Sequence, residues 1–172
     1  CQWATEILFS KAKTITISPV EHNAVKDAYD NSINKLSDDQ IIGRAFAGLL
    51  DDKLKINSDG LVIDDRELDG VACIYIQSEI GTIQPIDKLD CNYIFSDMTQ
   101  ALGKLPVNVT ELDIDVAAFG AHKFGGPMGV GFMYLKNNHD WVEFGTGSRY
   151  FMDYPGTPNV AGAVATAAAL RE

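Results

Sequence analysis

Short apolar runs with the length of a β-strand alternate with polar segments along much of the chain. Residues 14–18 read Thr-Ile-Thr-Ile-Ser, and this period of two predicts a strand. Pro19 ends the strand because proline cannot donate a ladder hydrogen bond. A helical pattern then runs from Glu21 to about Leu36.

Three later runs are almost entirely apolar, which is typical of strands buried on both faces of a parallel sheet. They occupy residues 71–76, 93–95 and 116–119, and polar residues follow each of them at once. Ligands of open α/β sheets bind outside the carboxyl ends of the strands. We therefore expect these three strand ends to form one site.

The remaining patterns complete an α/β fold with a mainly parallel sheet. Residues 129–135 predict a further strand, and the alanine-rich residues 159–170 predict a helix. Weaker patterns predict the tail of a helix over 2–11, a short helix within 37–54, and one turn of helix over 64–68.

At 172 residues and 46% hydrophobic content, the chain can bury one sizeable core. No repeat or linker divides it, so residues 1–172 are expected to form one domain or a piece of a larger one. The chain begins at Cys1 instead of Met and stops at Glu172, directly after a helical pattern. We expect it to be a segment of a longer protein.

The charge balance disfavours two classes of partner. With 14 Lys and Arg against 24 Asp and Glu, the formal charge is -10, which argues against nucleic acid and anionic membranes. No apolar run approaches the roughly 20 residues that span a bilayer. A phosphate group would have to be held locally, by loop amides, helix N-termini or hydroxyls.

The cysteines and histidines suggest neither a disulfide framework nor a metal centre. Cys1, Cys73 and Cys91 are odd in number and lack a CxxC spacing, which indicates a reducing compartment such as the cytoplasm. Cys73 and Cys91 lie in apolar contexts and are expected to be small buried side chains. The three histidines lie far apart in sequence, so no metal site is expected.

The candidate chemistry centres on Lys123. An apolar run carries His122-Lys123 to a glycine-rich turn at 124–129, which presents one lysine at a strand end. A fixed lysine of this kind suits a Schiff base with pyridoxal phosphate.

Pyridoxal phosphate also needs a carboxylate for its pyridine nitrogen, a surface against its ring, and phosphate donors. Asp97 follows a buried strand, and Gln100, on the same turn, is placed to reach the ring's phenolic oxygen. His22, at a helix start, is a candidate for stacking on the ring. His122 is a candidate for the phosphate side.

These residues carry a resemblance to the class V aminotransferase family, in its cysteine desulfurase branch. Residues 122–131, His-Lys-Phe-Gly-Gly-Pro-Met-Gly-Val-Gly, look like the family's lysine signature. Residues 21–25 resemble its ring-stacking histidine motif, and 97–107 resemble its aspartate-and-glutamine motif. Residues 155–159 are similar to the segment whose threonine contacts the phosphate of the partner subunit's cofactor. All four motifs occur in family order.

The resemblance implies the large domain, incomplete here, of a fold type I enzyme with a three-layer α/β/α architecture. It implies a homodimer with sites at the subunit interface, and conversion of L-cysteine to L-alanine with transfer of sulfur to an acceptor protein, as in iron–sulfur cluster assembly. The resemblance implies that Lys123 forms the Schiff base and transfers protons, that Asp97 holds the pyridinium proton, and that Gln100 contacts the phenolic oxygen. It further implies that His22 stacks on the ring face and that His122 contacts the phosphate. Thr157 is implied to contact the phosphate of the neighbouring subunit's cofactor.

The chain departs from the family pattern at several positions. Gln77-Ser78 replace two asparagines, so the usual amide contact falls to the Ser78 hydroxyl, and Gly120 replaces a phosphate-binding serine. Tyr154-Pro155 stand where an arginine and a serine are usual. The family's phosphate-gripping glycine-threonine loop, its mobile cysteine loop and its substrate-binding arginine have no counterpart in this sequence. We expect this chain alone not to complete desulfuration.

Two alternatives remain open at this stage. One is another class V activity, an aminotransferase or a lyase, with Arg149 as a possible substrate or phosphate contact. The other is a non-catalytic remnant of the pyridoxal-phosphate fold, kept as a binding or assembly module. The departures at Ser78 and Gly120 motivate the second alternative.

Overall fold

Five strands form one sheet in the computed structural model, and their spatial order is their order along the chain. The structure describes residues 11–34, 53–136 and 157–172, together with Ala4 and Leu8. The strands are β1 (Ile15–Ile17), β2 (Leu68–Ala72), β3 (Cys91–Asp97), β4 (Val116–Gly120) and β5 (Gly131–Leu135). Strands β1 to β4 are parallel, and β5 runs antiparallel to β4 at the edge.

Apolar residues on successive positions of the central strands supply two separate cores, one on each face of the sheet. In β3, Ile94 packs into one core and Phe95 into the other. In β4, Val116 and Ala118 face the same core as Phe95, whereas Ala117 and Phe119 face the opposite one. Burial on both faces explains why these strands read as continuous apolar runs.

Helices cover the first face. Helix α1 (Asn23–Asn34) packs Val25 and Tyr29 against it, and the helical residues Ala4 and Leu8 join the same core. The Tyr29 hydroxyl donates to the carbonyl of Ile15 at 3.3 Å, which ties α1 to β1. A buried phenol thus keeps a hydrogen-bond partner within the core.

The described segments that cover the second face are mainly not helical. The β2–β3 connection contains one 3-10 turn, Ile86–Lys88, and the β3–β4 connection consists of turns that bury Met98, Ala101 and Ile114. Helix α2 (Val160–Ala169) lies near the end of the chain. Its N-cap Asn159 accepts a hydrogen bond from the N–H of Gly162 at 2.9 Å.

The structure confirms the α/β class and most predicted elements, but it shifts one strand. The apolar run at 71–76 predicted a strand over its whole length, whereas β2 begins at Leu68 and ends at Ala72. Its partner β1 ends at Ile17, which pairs with Ala72, so the chain beyond has no strand on that side. Because β2 starts earlier, it includes Gly70. A larger residue would not fit at this position, since an added Cβ would lie 2.5 Å from the Ala12 Cβ.

The predicted helical turn over 64–68 is wrong. Asp64 instead accepts hydrogen bonds from the backbone N–H groups of Lys55 and Arg66, and Leu68 opens β2. A side chain that satisfies backbone donors locally competes with helix formation in this way. Most of the short helix predicted within 37–54 lies outside the described residues.

Candidate active site

A cavity of about 440 Å³ opens at the carboxyl ends of strands β1 to β4. This is the edge of the sheet at which the sequence predicts a site, and the volume falls within the roughly 300–1,000 Å³ of small-molecule sites. The lining residues are His22, Ala24, Ile74, Ser78, Asp97, Thr99, Gln100, Gly120, His122 and Lys123.

His22 lies between β1 and α1 and acts at the start of the helix as well as in the cavity. Its Nδ1 accepts a hydrogen bond from the N–H of Ala24 at 3.1 Å, and its carbonyl accepts from Val25 at 2.9 Å. Since Nδ1 is the acceptor, the neutral ring carries its proton on Nε2. The helix start therefore fixes the ring that the sequence assigned to cofactor stacking.

Asp97 ends β3 and is 5% exposed. Its Oδ1 accepts a hydrogen bond from the N–H of Thr99 at 2.9 Å, which starts the turn that carries Gln100 into the cavity. The Gln100 Oε1 accepts a hydrogen bond from the Lys104 ammonium group. The amide NH₂ of Gln100 is then the end that can donate to a ring oxygen.

Lys123 ends a 3-10 turn, Ala121–Lys123, that directly follows β4. The Ala121 carbonyl accepts from the N–H of Phe124 at 3.2 Å and of Gly126 at 2.8 Å, and Gly125 has a φ of +89° that favours glycine. Lys123 is exposed and makes no salt bridge to any residue that the structure describes. Among those residues, no carboxylate therefore competes with a ligand for its amine.

The structure brings together six of the seven predicted site residues. His22, Ser78, Asp97, Gln100, His122 and Lys123 line the same cavity. Thr157 is exposed and does not line it. Arg149 lies outside the described residues, as do Tyr154 and Pro155.

Sequence reasoning missed two residues of the site. Thr99 lines the cavity beside Gly120, and the Cβ of any larger residue at 120 would lie 3.0 Å from its Cγ2. Glu21 is buried directly behind His22, and burial raises the pKa of its carboxyl to about 8. Both lie inside quoted motifs, but burial of a charged residue leaves no local signal in a sequence.

The two cysteines that the structure describes have no reactive character. Cys73 follows β2, and burial raises the pKa of its thiol well above the ordinary value. Cys91 is half-buried, and burial followed by the charge of Asp115 raises its thiol pKa to about 12. The described part of the chain contains no cluster of His, Cys, Asp and Glu able to hold a metal ion, and none of its helices is long and apolar enough to cross a membrane.

The groups around the cavity fit pyridoxal phosphate. An amine (Lys123), a buried carboxylate (Asp97), an amide (Gln100) and an imidazole ring (His22) meet there from different strand ends. His122 and hydroxyl side chains remain for a phosphate. An α/β sheet that gathers this set at its strand ends is what a pyridoxal-phosphate protein requires.

Known relatives agree with this class. A family model described as aminotransferase class V matches residues 3–171. The chain is 32% identical over 170 residues to the cysteine desulfurase IscS of Dictyoglomus turgidum, covering 91% of this chain and 40% of that protein. It is 33% identical over 133 residues to the cysteine desulfurase IscS of Photorhabdus laumondii, covering 73% and 31%.

Solved structures show the same fold. A NifS-like protein superposes with a TM-score of 0.68 at 26% identity, covering 98% of this chain and 49% of the other. The apo structure of a cysteine desulfurase from Thermococcus onnurineus superposes with a TM-score of 0.70 at 21% identity, covering 99% and 49%.

The chain belongs to the class V aminotransferase family. This confirms the family resemblance read from the four motifs, the fold type I class, and the pyridoxal-phosphate cofactor that the family uses. The chain spans about 40% of the length of its Dictyoglomus relative and about half that of the NifS-like structure.

Proposed function

We propose that this chain is the cofactor-binding part of a pyridoxal-phosphate-dependent cysteine desulfurase, which converts L-cysteine to L-alanine and passes the sulfur to an acceptor protein. The relatives named above, which are cysteine desulfurases, support this choice among class V activities. The observation that carries it is that Asp97, which ends β3, and Lys123, which ends the 3-10 turn after β4, line one cavity. A mitochondrial desulfurase of Eremothecium gossypii is also similar, at 34% identity over 96 residues. We place this protein in the cytoplasm.

Six residues of the cavity have a role in this proposal. Bound pyridoxal phosphate would supply an aldehyde that condenses with amines and a pyridinium ring that withdraws electrons from the substrate. The Lys123 amine would hold the aldehyde carbon and move protons at the substrate's α-carbon. The Asp97 carboxyl would hold the proton of the pyridine nitrogen. The Gln100 amide and the Ser78 hydroxyl would donate towards the phenolic oxygen.

The remaining residues orient the cofactor. The imidazole of His22, which its hydrogen bond from Ala24 already orients, would lie against the ring face, and His122 would donate to the phosphate. Thr157 is exposed and lies away from this cavity, which supports the proposal that it serves the phosphate of a second subunit in a homodimer.

Substitution of Lys123 tests the function. In the full-length protein, we expect Lys123→Ala to abolish the visible absorption band of bound cofactor and to reduce alanine formation from L-cysteine by at least about a thousandfold. Lys88→Ala is the matched control, because Lys88 is exposed and lies in the β2–β3 connection away from the cavity.

Three outcomes decide between the alternatives. A visible band with alanine production from cysteine, and with release of sulfide when a thiol reductant is supplied, supports desulfuration. A visible band with turnover of other amino acids but not cysteine would show a different class V activity. If saturating cofactor produces no band in the wild-type protein, the chain is a non-catalytic member of the family.

A further inference from the structure

Glu21 is a buried carboxyl group that none of the roles above uses. It lies between β1 and α1, directly before His22, and is 3% exposed. Its backbone N–H donates to the Ser18 carbonyl at 3.3 Å, and its Oε1 accepts a hydrogen bond from the N–H of Ile74. Because Ile74 lines the cavity just after β2, Glu21 joins the loop that carries His22 to the end of the neighbouring strand.

The second carboxyl oxygen of Glu21 is in an environment that disfavours a negative charge. Oε2 is buried and has no hydrogen-bond partner among the residues that the structure describes. A buried carboxylate is tolerated when a cation or several donors compensate its lost hydration. The contacts described here amount to a single backbone N–H, so the neutral acid is the favoured form.

On balance, the groups around Glu21 also favour its neutral form. Asp97 faces it from the end of β3, Lys26 from α1, and Cys73 from the end of β2. The pKa of Glu21 is raised to about 8 as the net result of these surroundings. Burial is the largest cause and the charge of Asp97 adds to it, while the Ile74 N–H and Lys26 oppose it. Burial keeps Cys73 in its thiol form, so it adds no charge at neutral pH.

We propose that Glu21 is a neutral carboxylic acid in the working protein, where its bond to Ile74 positions His22. The positioning part of this inference rests on the proposed cofactor site, since it is there that His22 and Asp97 have their roles. A buried carboxyl with one backbone N–H contact and one unpartnered oxygen is better tolerated without a negative charge.

Infrared difference spectroscopy of the cofactor-free full-length protein tests the protonation state. We expect the wild-type protein, compared with Glu21→Gln at pH 6, to show the carbonyl band of one protonated carboxylic acid. The band should disappear as the pH is raised through about 8. The control is Glu111→Gln, which removes an exposed carboxylate in the β3–β4 connection and should produce no such band. Absence of the band in the Glu21 comparison would overturn the proposal.

The pH dependence of stability gives an independent measurement. The folded-state pKa of about 8 lies above the ordinary 4.5, so wild-type stability falls relative to Glu21→Gln as the pH rises through this interval. The ratio of their unfolding equilibrium constants should change by up to about tenfold per pH unit and then level off above about pH 8. A ratio that does not vary with pH would contradict a neutral Glu21.

Cofactor affinity separates positioning from mere packing. Glutamine keeps an acceptor for Ile74 and is neutral, so Glu21→Gln should bind pyridoxal phosphate within about twofold of wild type at pH 7. Glu21→Ala loses the acceptor and should bind about tenfold more weakly. Equal losses in both variants would overturn the positioning role. If the wild-type protein does not bind the cofactor, the proposed function fails, whereas the infrared band still reports on Glu21.

Discussion

Two polar side chains of the cavity are each held by a hydrogen bond from the backbone N–H two residues further along the chain. The Asp97 Oδ1 accepts from the Thr99 N–H, and the His22 Nδ1 accepts from the Ala24 N–H. Such local bonds fix a side chain before a ligand arrives, which lowers the entropy that binding must remove. The second atom of each group, Oδ2 or Nε2, is then the one that can act on a ligand.

Asp97→Asn separates the charge of this residue from its structural role. Asparagine keeps an oxygen for the Thr99 N–H, so we expect thermal stability to change little. The amide cannot carry the negative charge that holds a proton on the pyridine nitrogen. Turnover of cysteine by the full-length protein should therefore fall at least about a hundredfold.

The control for this variant is Asp87→Asn, which removes an exposed charge in the 3-10 turn of the β2–β3 connection. Its kcat and KM should match those of the wild-type protein. Equal turnover in Asp97→Asn and wild type would contradict the assigned role of Asp97.

Among the elements, β1 and β2 pack most closely where Gly70 faces the segment that precedes β1. An added Cβ at Gly70 would lie 2.5 Å from the Ala12 Cβ and 3.0 Å from the Thr14 carbonyl oxygen. The neighbouring Asp69 accepts the Thr14 N–H through its Oδ2 at 3.2 Å. This contact sets the register of β1, and hence the position at which the chain leaves the sheet towards His22.

Gly70→Ala should lower the free energy of unfolding by about 1–3 kcal/mol, because the extra methyl overfills a packed contact. Urea denaturation of the purified protein measures this loss. Combining it with Ala12→Gly removes the nearer of the two clashing atoms, so the double variant should recover part of the stability. A double variant as unstable as the sum of both single variants would show that the two positions do not touch.

The sequence predicts β3 and β4 through the part of each strand that is buried on both faces. Phe95 and Ala117 lie in strands flanked by partners on both sides, and the residue directly before each of them is also apolar and buried. Cys73 and Ile74 are equally apolar and buried, but they lie beyond the end of β1 and outside β2. Burial is visible in a sequence, whereas the length of a partner strand is not.

The candidate site was predictable for a related reason. Its residues follow strand ends within recognisable motifs, so their convergence needed the parallel sheet and little else. Glu21 was not predicted as a buried residue, because its hydrogen bond from Ile74 joins residues that are 53 positions apart in the sequence. Thr99 was not predicted because its position beside Gly120 depends on the register between β3 and β4.

At the scale of the whole molecule, two buried carboxyl groups give stability opposite dependences on pH. The side chain of Asp64 is fully buried. It accepts two hydrogen bonds from Arg66, one from Nε at 2.8 Å and one from Nη2 at 2.7 Å. The Arg66 guanidinium holds the pKa of Asp64 well below its ordinary 3.8. This pair therefore stabilises the protein above that pH and is lost in acid, whereas Glu21 loses its contribution as the pH rises.

Asp64→Asn should be less stable than wild type at pH 7, because asparagine cannot accept the charged bidentate pair. As the pH falls below about 3.8, Asp64 becomes protonated first in the unfolded chain, because its pKa in the folded protein lies well below this value. The stability difference should therefore shrink progressively as the pH falls further. Unfolding free energies measured from pH 7 downward check this. A difference that stays constant into acid would rule out ionisation of Asp64 as the cause. Asp65→Asn is the control, since Asp65 forms an exposed salt bridge with Lys55.

The cavity draws its side chains from strand ends and from the first residues that follow them, whereas the rest of the connections lies over the faces of the sheet. After Ser78, the β2–β3 connection crosses its face with no helix beyond the three-residue turn Ile86–Lys88. Insertions or deletions in this later part change the thickness of the outer layer without touching the residues that line the cavity. Evolution is thus free to trim or extend this covering, and chains of quite different length are able to keep the same chemistry.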